Sequence, residues 1–188
     1  MPQKPSPAGR RASSAEARGE NLQRAFIALL PSAAALSEIR SLEEEIARTE
    51  SGGRFRLTPR ERLHVTLAFL GDTSESERDA VLGILRDFDP PSALVAFDRL
   101  GSFPKSNILW LSGRNSVLSA SARALRRMLR ESGIRFDEKP FREHITLARN
   151  WQEPVPALSF EPIAWKLAPP RLMLSVRSAD GKLRYIPA

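Results

Sequence analysis

His64 and His144 are the only histidines in the 188 residues, and they stand in matching phrases, RLHVTLA and REHITLA. Each phrase reads Arg, any residue, His, a β-branched aliphatic, Thr, Leu, Ala. An unperturbed imidazole titrates near pH ~6.5, so a neutral ring can take a proton while a second, charged ring gives one. Thr66 and Thr146 follow the two histidines at the same spacing, and their hydroxyls can donate to the non-bridging oxygens of a phosphoryl group. One ring deprotonating a water that attacks phosphorus in line, the other protonating the oxygen that leaves, is the chemistry of phosphodiester hydrolysis. A satisfied polar residue at a strand edge would explain one histidine, but not two that exhaust the supply in one repeated context. A metal site fits poorly. The chain has no cysteine, and the one acidic residue at metal-ligand spacing, Glu143, is turned by strand alternation to the face opposite His144.

Strands must carry these groups. Alternation puts His64, Thr66 and Ala68 on one face, with Val65, Leu67 and Phe69 on the other; the second copy puts His144, Thr146 and Ala148 opposite Ile145 and Leu147. Small alanines are then expected to leave room beside each imidazole.

The flanking sequence supplies a scaffold. QRAFIALL reads as a buried strand ended by Pro31, after which Ser32 caps a helix with Leu36, Ile39, Leu42 and Ile46 inward, stopped by Gly52 and Gly53. RFRL is a short strand, and HVTLAFLG a longer one closed by Gly71. Ser74 with Glu77 forms a capping box for a helix bearing Val81, Ile84, Leu85 and Phe88. ALVAFDRLGSF and NILWLSG read as two strands joined around Pro104. Asn115 or Ser116 opens a third helix, ending at Gly133, with Leu118, Ala122, Leu125 and Leu129 inward and Arg123, Arg126, Arg127 and Arg130 outward. Those arginines read as a solvated face, with an RNA-facing role the less favoured alternative. HITLAR, PALSF, IAWKL, RLMLSVRS and LRYIPA complete the pattern, the last two flanking the turn ADGK. The order gives an α+β protein of two βα-rich halves, each with one histidine phrase, facing across a cleft.

The net charge is +7 with a pI near 10.7, which favours a polyanionic partner, although charge alone also fits a merely solvated basic surface. Residues 1–22 are poor in large apolar side chains and read as a disordered basic tail, followed by a single domain over residues 23–188. No apolar run suits a membrane span, and no apolar segment follows Lys4, Arg10 and Arg11 to make a secretory signal. A cytoplasmic monomer without a cofactor is the expectation.

The ordered set RAFIALLP, RERLHVTLAFLGD, FDRLGSFPKSNILWLSG, PFREHITLARN and LSVRS with GKLRYIPA resembles the two-histidine (2H) phosphoesterase superfamily, and within it the RNA 2′,3′-cyclic phosphodiesterases once called 2′-5′ RNA ligases. The resemblance covers nearly everything after residue 22. It implies a bilobal fold of two pseudo-symmetric lobes, each with an antiparallel sheet and flanking helices around a central cleft. It also implies metal-independent hydrolysis of RNA 2′,3′-cyclic ends to 2′-phosphomonoesters, with reverse 2′-5′ ligation as a related activity. By position, His64 is the proton donor to the 3′ oxygen, His144 the proton acceptor, and Arg149 the arginine that approaches the phosphate. The residues themselves leave the choice of acid and base open. An undistorted strand would aim Arg149 away from the cleft, so a bulge or strand end must intervene. Arg62 replaces the smaller polar residue of many relatives and is expected to alter the cleft rim. Phe26, Phe103 and Trp110 could form a base-stacking wall or belong to the core. Two other readings share these letters: a basic RNA-binding module without turnover, and a 2H phosphodiesterase for another diester such as a 2′-5′ oligoadenylate.

Overall fold

The computed structural model describes residues 21–50 and 52–188, so nearly all of the expected N-terminal tail lies outside the described residues. β1 (Gln23–Leu29) leads through Pro31 to α1 (Ala33–Thr49), where the Ser32 hydroxyl accepts from Ala35 N at 3.2 Å. β2 (Arg56–Leu57) and a 3₁₀ turn (Arg60–Arg62) precede β3 (Val65–Thr73), which holds the first threonine. The expected capping box opens α2 (Glu75–Asp87): Ser74 N donates to Glu77 Oε2 at 2.8 Å and Glu77 N to Ser74 Oγ at 3.2 Å. β4 (Leu94–Phe97), β5 (Arg99–Phe103), β6 (Ile108–Ser112) and α3 (Ser116–Glu131) follow, then β7 (Ile145–Arg149), β8 (Ile163–Lys166), β9 (Arg171–Arg177) and β10 (Leu183–Pro187).

The main sheet runs β10-β9-β1-β3-β7-β6-β5 with β2 on β7, and β4 pairs with β8 in a second sheet. Every pairing is antiparallel. The two histidine strands lie side by side at the centre and pair only through Val65 and Ile145, which is the seam between the two halves. Buried residues of the three helices, including Ile39, Val81 and Leu125, pack with Ile27, Val65, Leu67, Ile145 and Leu147 in one core, so the helices cover one face of the main sheet. Phe26, Ala28 and Met173 form a separate cluster with Phe69 and Tyr185 on the other face. That uncovered face is the cleft. On α3, Leu118, Leu125 and Leu129 are fully buried, each contributing about 1.5–3 kcal/mol of transfer free energy.

Two expectations need correction. ALVAFDRLGSF is not one strand: it breaks at Asp98, whose N–H donates to Ser112 O at 2.9 Å, and β4 leaves for the second sheet while β5 joins β6. Asn115 secures that division, its side chain holding both the N–H and the carbonyl of Ala96 at 2.9 Å. Gly71 does not end β3, which continues to Thr73 and passes Gly71 at φ +77°, opposite Ala25. Glycine takes that backbone conformation without the steric penalty of a side chain.

Candidate active site

Both imidazoles are anchored in the same way. His64 Nδ1 lies 2.7 Å from Arg62 O, and His144 Nδ1 lies 2.8 Å from Arg142 O. A carbonyl only accepts, so Nδ1 carries a proton in each ring and the Nε2 atom of the neutral form keeps its lone pair. His64 Nε2 is 3.0 Å from Thr66 Oγ1, which joins the first imidazole and hydroxyl into one unit.

Matching bulges then redirect the residues beyond each threonine. In β3, Ala28 faces Thr66 and Ile27 faces Ala68, leaving Leu67 without a partner; in β7, Trp110 faces Thr146 and Leu109 faces Ala148, leaving Leu147 without one. An extra residue reverses the alternation after it. Ala68 and Ala148, expected beside the histidines, are therefore fully buried in the helix-side core. Their successors take the cleft face: Phe69 joins the Phe26 cluster, and Arg149 lines a cavity of about 300 Å³ together with Arg62. The bulge that Arg149 needed is present. Each displaced carbonyl has a donor, Arg126 Nε to Leu67 O at 2.8 Å and Thr58 N to Leu147 O at 2.7 Å.

Each histidine also rests against an aromatic ring. Phe26 is 4.8 Å from His64 between ring centres, and Phe103 is 5.1 Å from His144, edge-on. Phe26 is only 4% exposed, so it forms a floor under His64 rather than a free stacking surface. Phe103 is half-buried and lines a cavity of about 400 Å³ with Thr66, Phe69 and His144. Trp110 lies 5.6 Å behind Phe103 and over Gly101, where a Cβ would come within 2.2 Å of the indole ring. Thr146, flanked by the buried Ile145 and Leu147, takes the cleft face by alternation.

Sequence reasoning missed three participants. Tyr185 packs 4.8 Å from Phe26 and 5.4 Å from His64, with the Arg62 guanidinium 5.0 Å over its ring. Its one signal was being the only tyrosine in the chain. Arg126 clamps the bulge in β3 but read as one of four helix-surface arginines. Glu143 ties the second phrase to α3: Asn115 N donates to its Oε1 at 3.0 Å, and Ser112 Oγ donates to its backbone carbonyl at 2.6 Å. Among the described residues, no group of three histidine, cysteine, aspartate or glutamate side chains could hold a metal ion, and no helix is long and apolar enough to cross a membrane.

Residues 29–110 match the family described as LigT like Phosphoesterase. An RNA 2′,3′-cyclic phosphodiesterase of Escherichia coli (strain K12) is 33% identical over 132 residues, spanning 68% of this chain and 73% of that protein. The chain belongs to the LigT-like phosphoesterases. An RNA 2′,3′-cyclic phosphodiesterase of Geobacillus stearothermophilus is 32% identical over 118 residues, which span 58% of this chain and 36% of that longer protein. The crystal structure of E. coli LigT complexed with 3′-AMP superposes with a TM-score of 0.74 at 28% identity, covering 89% of this chain and 96% of that one. The 2H phosphoesterase fold expected from the repeated phrase is thereby shown.

Electrostatics separate the two imidazoles of this LigT-like phosphoesterase. Burial pushes His64 down to about 4, with His144, Arg149 and Arg62 adding repulsion and the Arg62 carbonyl opposing it. Burial also lowers His144, aided by Arg149 and opposed by the Arg142 carbonyl. Both rings are therefore held neutral near pH 7, with Arg149 opposing a proton on either. An entering phosphodiester anion offsets that repulsion and favours protonation of the imidazole it touches.

Proposed function

We propose that this phosphoesterase hydrolyses RNA 2′,3′-cyclic phosphate ends to 2′-phosphomonoesters without a metal ion, using its two histidines as acid and base. The observation that carries the reading is the pair of imidazoles anchored alike, each with Nδ1–H tied to the carbonyl two residues back, so that Nε2, beside Thr66 Oγ1 in His64, is the atom turned to substrate. The names of the E. coli and G. stearothermophilus relatives support the choice of diester. His144 Nε2 takes a proton from water, whose oxygen forms the new bond to phosphorus. The bond from phosphorus to the 3′ oxygen breaks, and His64, protonated on Nε2 beside the bound anion, delivers its proton to that oxygen. One proton enters His144 and one leaves His64, so a proton exchange with solvent restores the pair. Thr66, Thr146 and Arg149 donate to the non-bridging oxygens as charge builds on them. A 5′-hydroxyl in place of water would give a 2′-5′ linkage by the same transfers.

The test is incubation with adenosine 2′,3′-cyclic phosphate in EDTA, followed by phosphorus NMR. Adenosine 2′-phosphate is the expected product. Formation of the 3′-phosphate, loss of turnover in EDTA, or no reaction at all would refute the reading.

A further inference from the structure

A second groove borders the pocket at His144. Arg126, Pro140 and Phe141 line the cavity containing His144, and the same three residues line a groove of about 690 Å³ along α3. We infer that this groove is a binding track for single-stranded RNA upstream of the cyclic end, so that the enzyme prefers oligonucleotides to mononucleotides. The inference rests on the phosphodiesterase reading and adds the length of substrate that the site takes.

The charge pattern supports it. Arg123, Arg126, Arg127 and Arg130 come from α3, while Lys139 and Arg142 come from the segment leading into His144. Three carboxylates oppose these six cations, through the contacts of Arg127 with Glu131 (3.9 Å), Arg130 with Glu138 (2.7 Å) and Lys139 with Asp137 (3.0 Å). These pairs are exposed or partly exposed, so a phosphate can compete for each cation at little cost. Arg123, Arg127 and Arg130 are exposed on successive turns, spaced ~5.4 Å along the helix axis, which suits a run of backbone phosphates. Phe141 stands half-buried and lines both cavities, and it offers a surface for the first upstream base, since stacking accepts any base. A merely solvated helix face has no reason to share three lining residues with the pocket at His144.

Arg126 holds the β3 bulge and is left intact in the test. The triple variant R123Q/R127Q/R130Q keeps the helix-forming character of the native side chains. It is compared with the parent on a 2′,3′-cyclic mononucleotide and on a ten-nucleotide RNA with a 2′,3′-cyclic end, over a range of salt. The expected result is a KM at least tenfold higher for the oligonucleotide alone, with its log KM against log salt slope flatter by about 2. Mononucleotide kinetics report whether the cleft is intact. Equal changes on both substrates, or none on either, would overturn the track while leaving the hydrolase reading standing. If the parent hydrolyses neither substrate, the hydrolase reading fails instead. Fluorescence anisotropy with a 3′-phosphorylated RNA ten-mer then decides the track: weaker binding by the triple variant supports it, and unchanged binding overturns it.

Discussion

Arg126 Nε donates to the carbonyl of Leu67 at 2.8 Å, and Nη1 of the same guanidinium donates to Lys139 O at 2.7 Å. One side chain on α3 therefore holds both the bulge beyond the first threonine and the loop that leads to the second histidine. Replacing Arg126 by Gln leaves the buried Leu67 carbonyl without its donor, which costs about 1–3 kcal/mol. The Tm should fall by several degrees and turnover by more than tenfold, because Phe69 loses its fixed position beside Thr66. Circular dichroism melting and steady-state kinetics check this. An unchanged Tm together with unchanged turnover would show that water replaces the arginine without consequence.

His64→Ala and His144→Ala should each lower turnover of a 2′,3′-cyclic nucleotide by about 10²–10⁴-fold while the fold survives. Two groups that transfer protons in one reaction fail singly, since neither can do the other's task. If either variant kept turnover within about tenfold of the parent, the paired-histidine mechanism would be wrong.

The site is half legible in the sequence because its chemistry is local and its geometry is not. A histidine and a threonine two residues apart share a strand face whatever the strand pairs with. The bulges are another matter. Leu67 and Leu147 lose their partners because Ile27 and Ala28, or Leu109 and Trp110, remain consecutive in the neighbouring strands. The cause of each bulge thus lies partly in another strand, and alternation misplaces Ala68 and Ala148. Tyr185 escapes notice for a similar reason: β10 reaches His64 only through the order β10-β9-β1-β3, which long-range pairing sets. The helices are clearer, because Ser74 with Glu77 and the leucines of α3 announce themselves within a few residues.

The pH profile follows from the depressed imidazoles. His64 titrates near 4 in the free protein and His144 below its ordinary value of 6.5, while the proposed mechanism requires one ring charged and the other neutral. Both limbs of kcat/KM, which report the free enzyme, should therefore lie below pH 6.5, and the alkaline limb of kcat should move upward as the bound anion favours charged His64. Stability has the corresponding sign. The unfolded chain binds a proton at His64 near pH ~6.5 and the folded chain only near 4, so stability is lost as pH falls across that window, by up to about 3 kcal/mol. His64→Asn should remove that part of the acid loss in urea titrations at pH 7 and 4.5. Imidazole NMR titration, with only two histidines to assign, would contradict the scheme if both rings titrated at 6.5 or above.

The threonines test whether the repeated phrase is chemical throughout. Thr66 Oγ1 lies 3.0 Å from His64 Nε2, whereas Thr146 reaches the cleft with no such partner among the described hydrogen bonds. Thr→Val keeps the β-branched shape that a strand favours and deletes only the hydroxyl, so both variants should fold. Losing one hydrogen bond to a charged phosphoryl oxygen should remove roughly 1.5–3 kcal/mol of transition-state stabilisation, about ten- to a hundredfold in turnover. The loss should appear in kcat more than in KM, because the bond strengthens as negative charge develops. Thr66→Val should also shift the His64 titration, since the hydroxyl touches the nitrogen that exchanges the proton, and Thr146→Val should not. Kinetics and imidazole NMR on the two variants decide between roles. Unchanged turnover in both would mean that the hydroxyls serve the strands alone, leaving the histidines and Arg149 to carry the reaction.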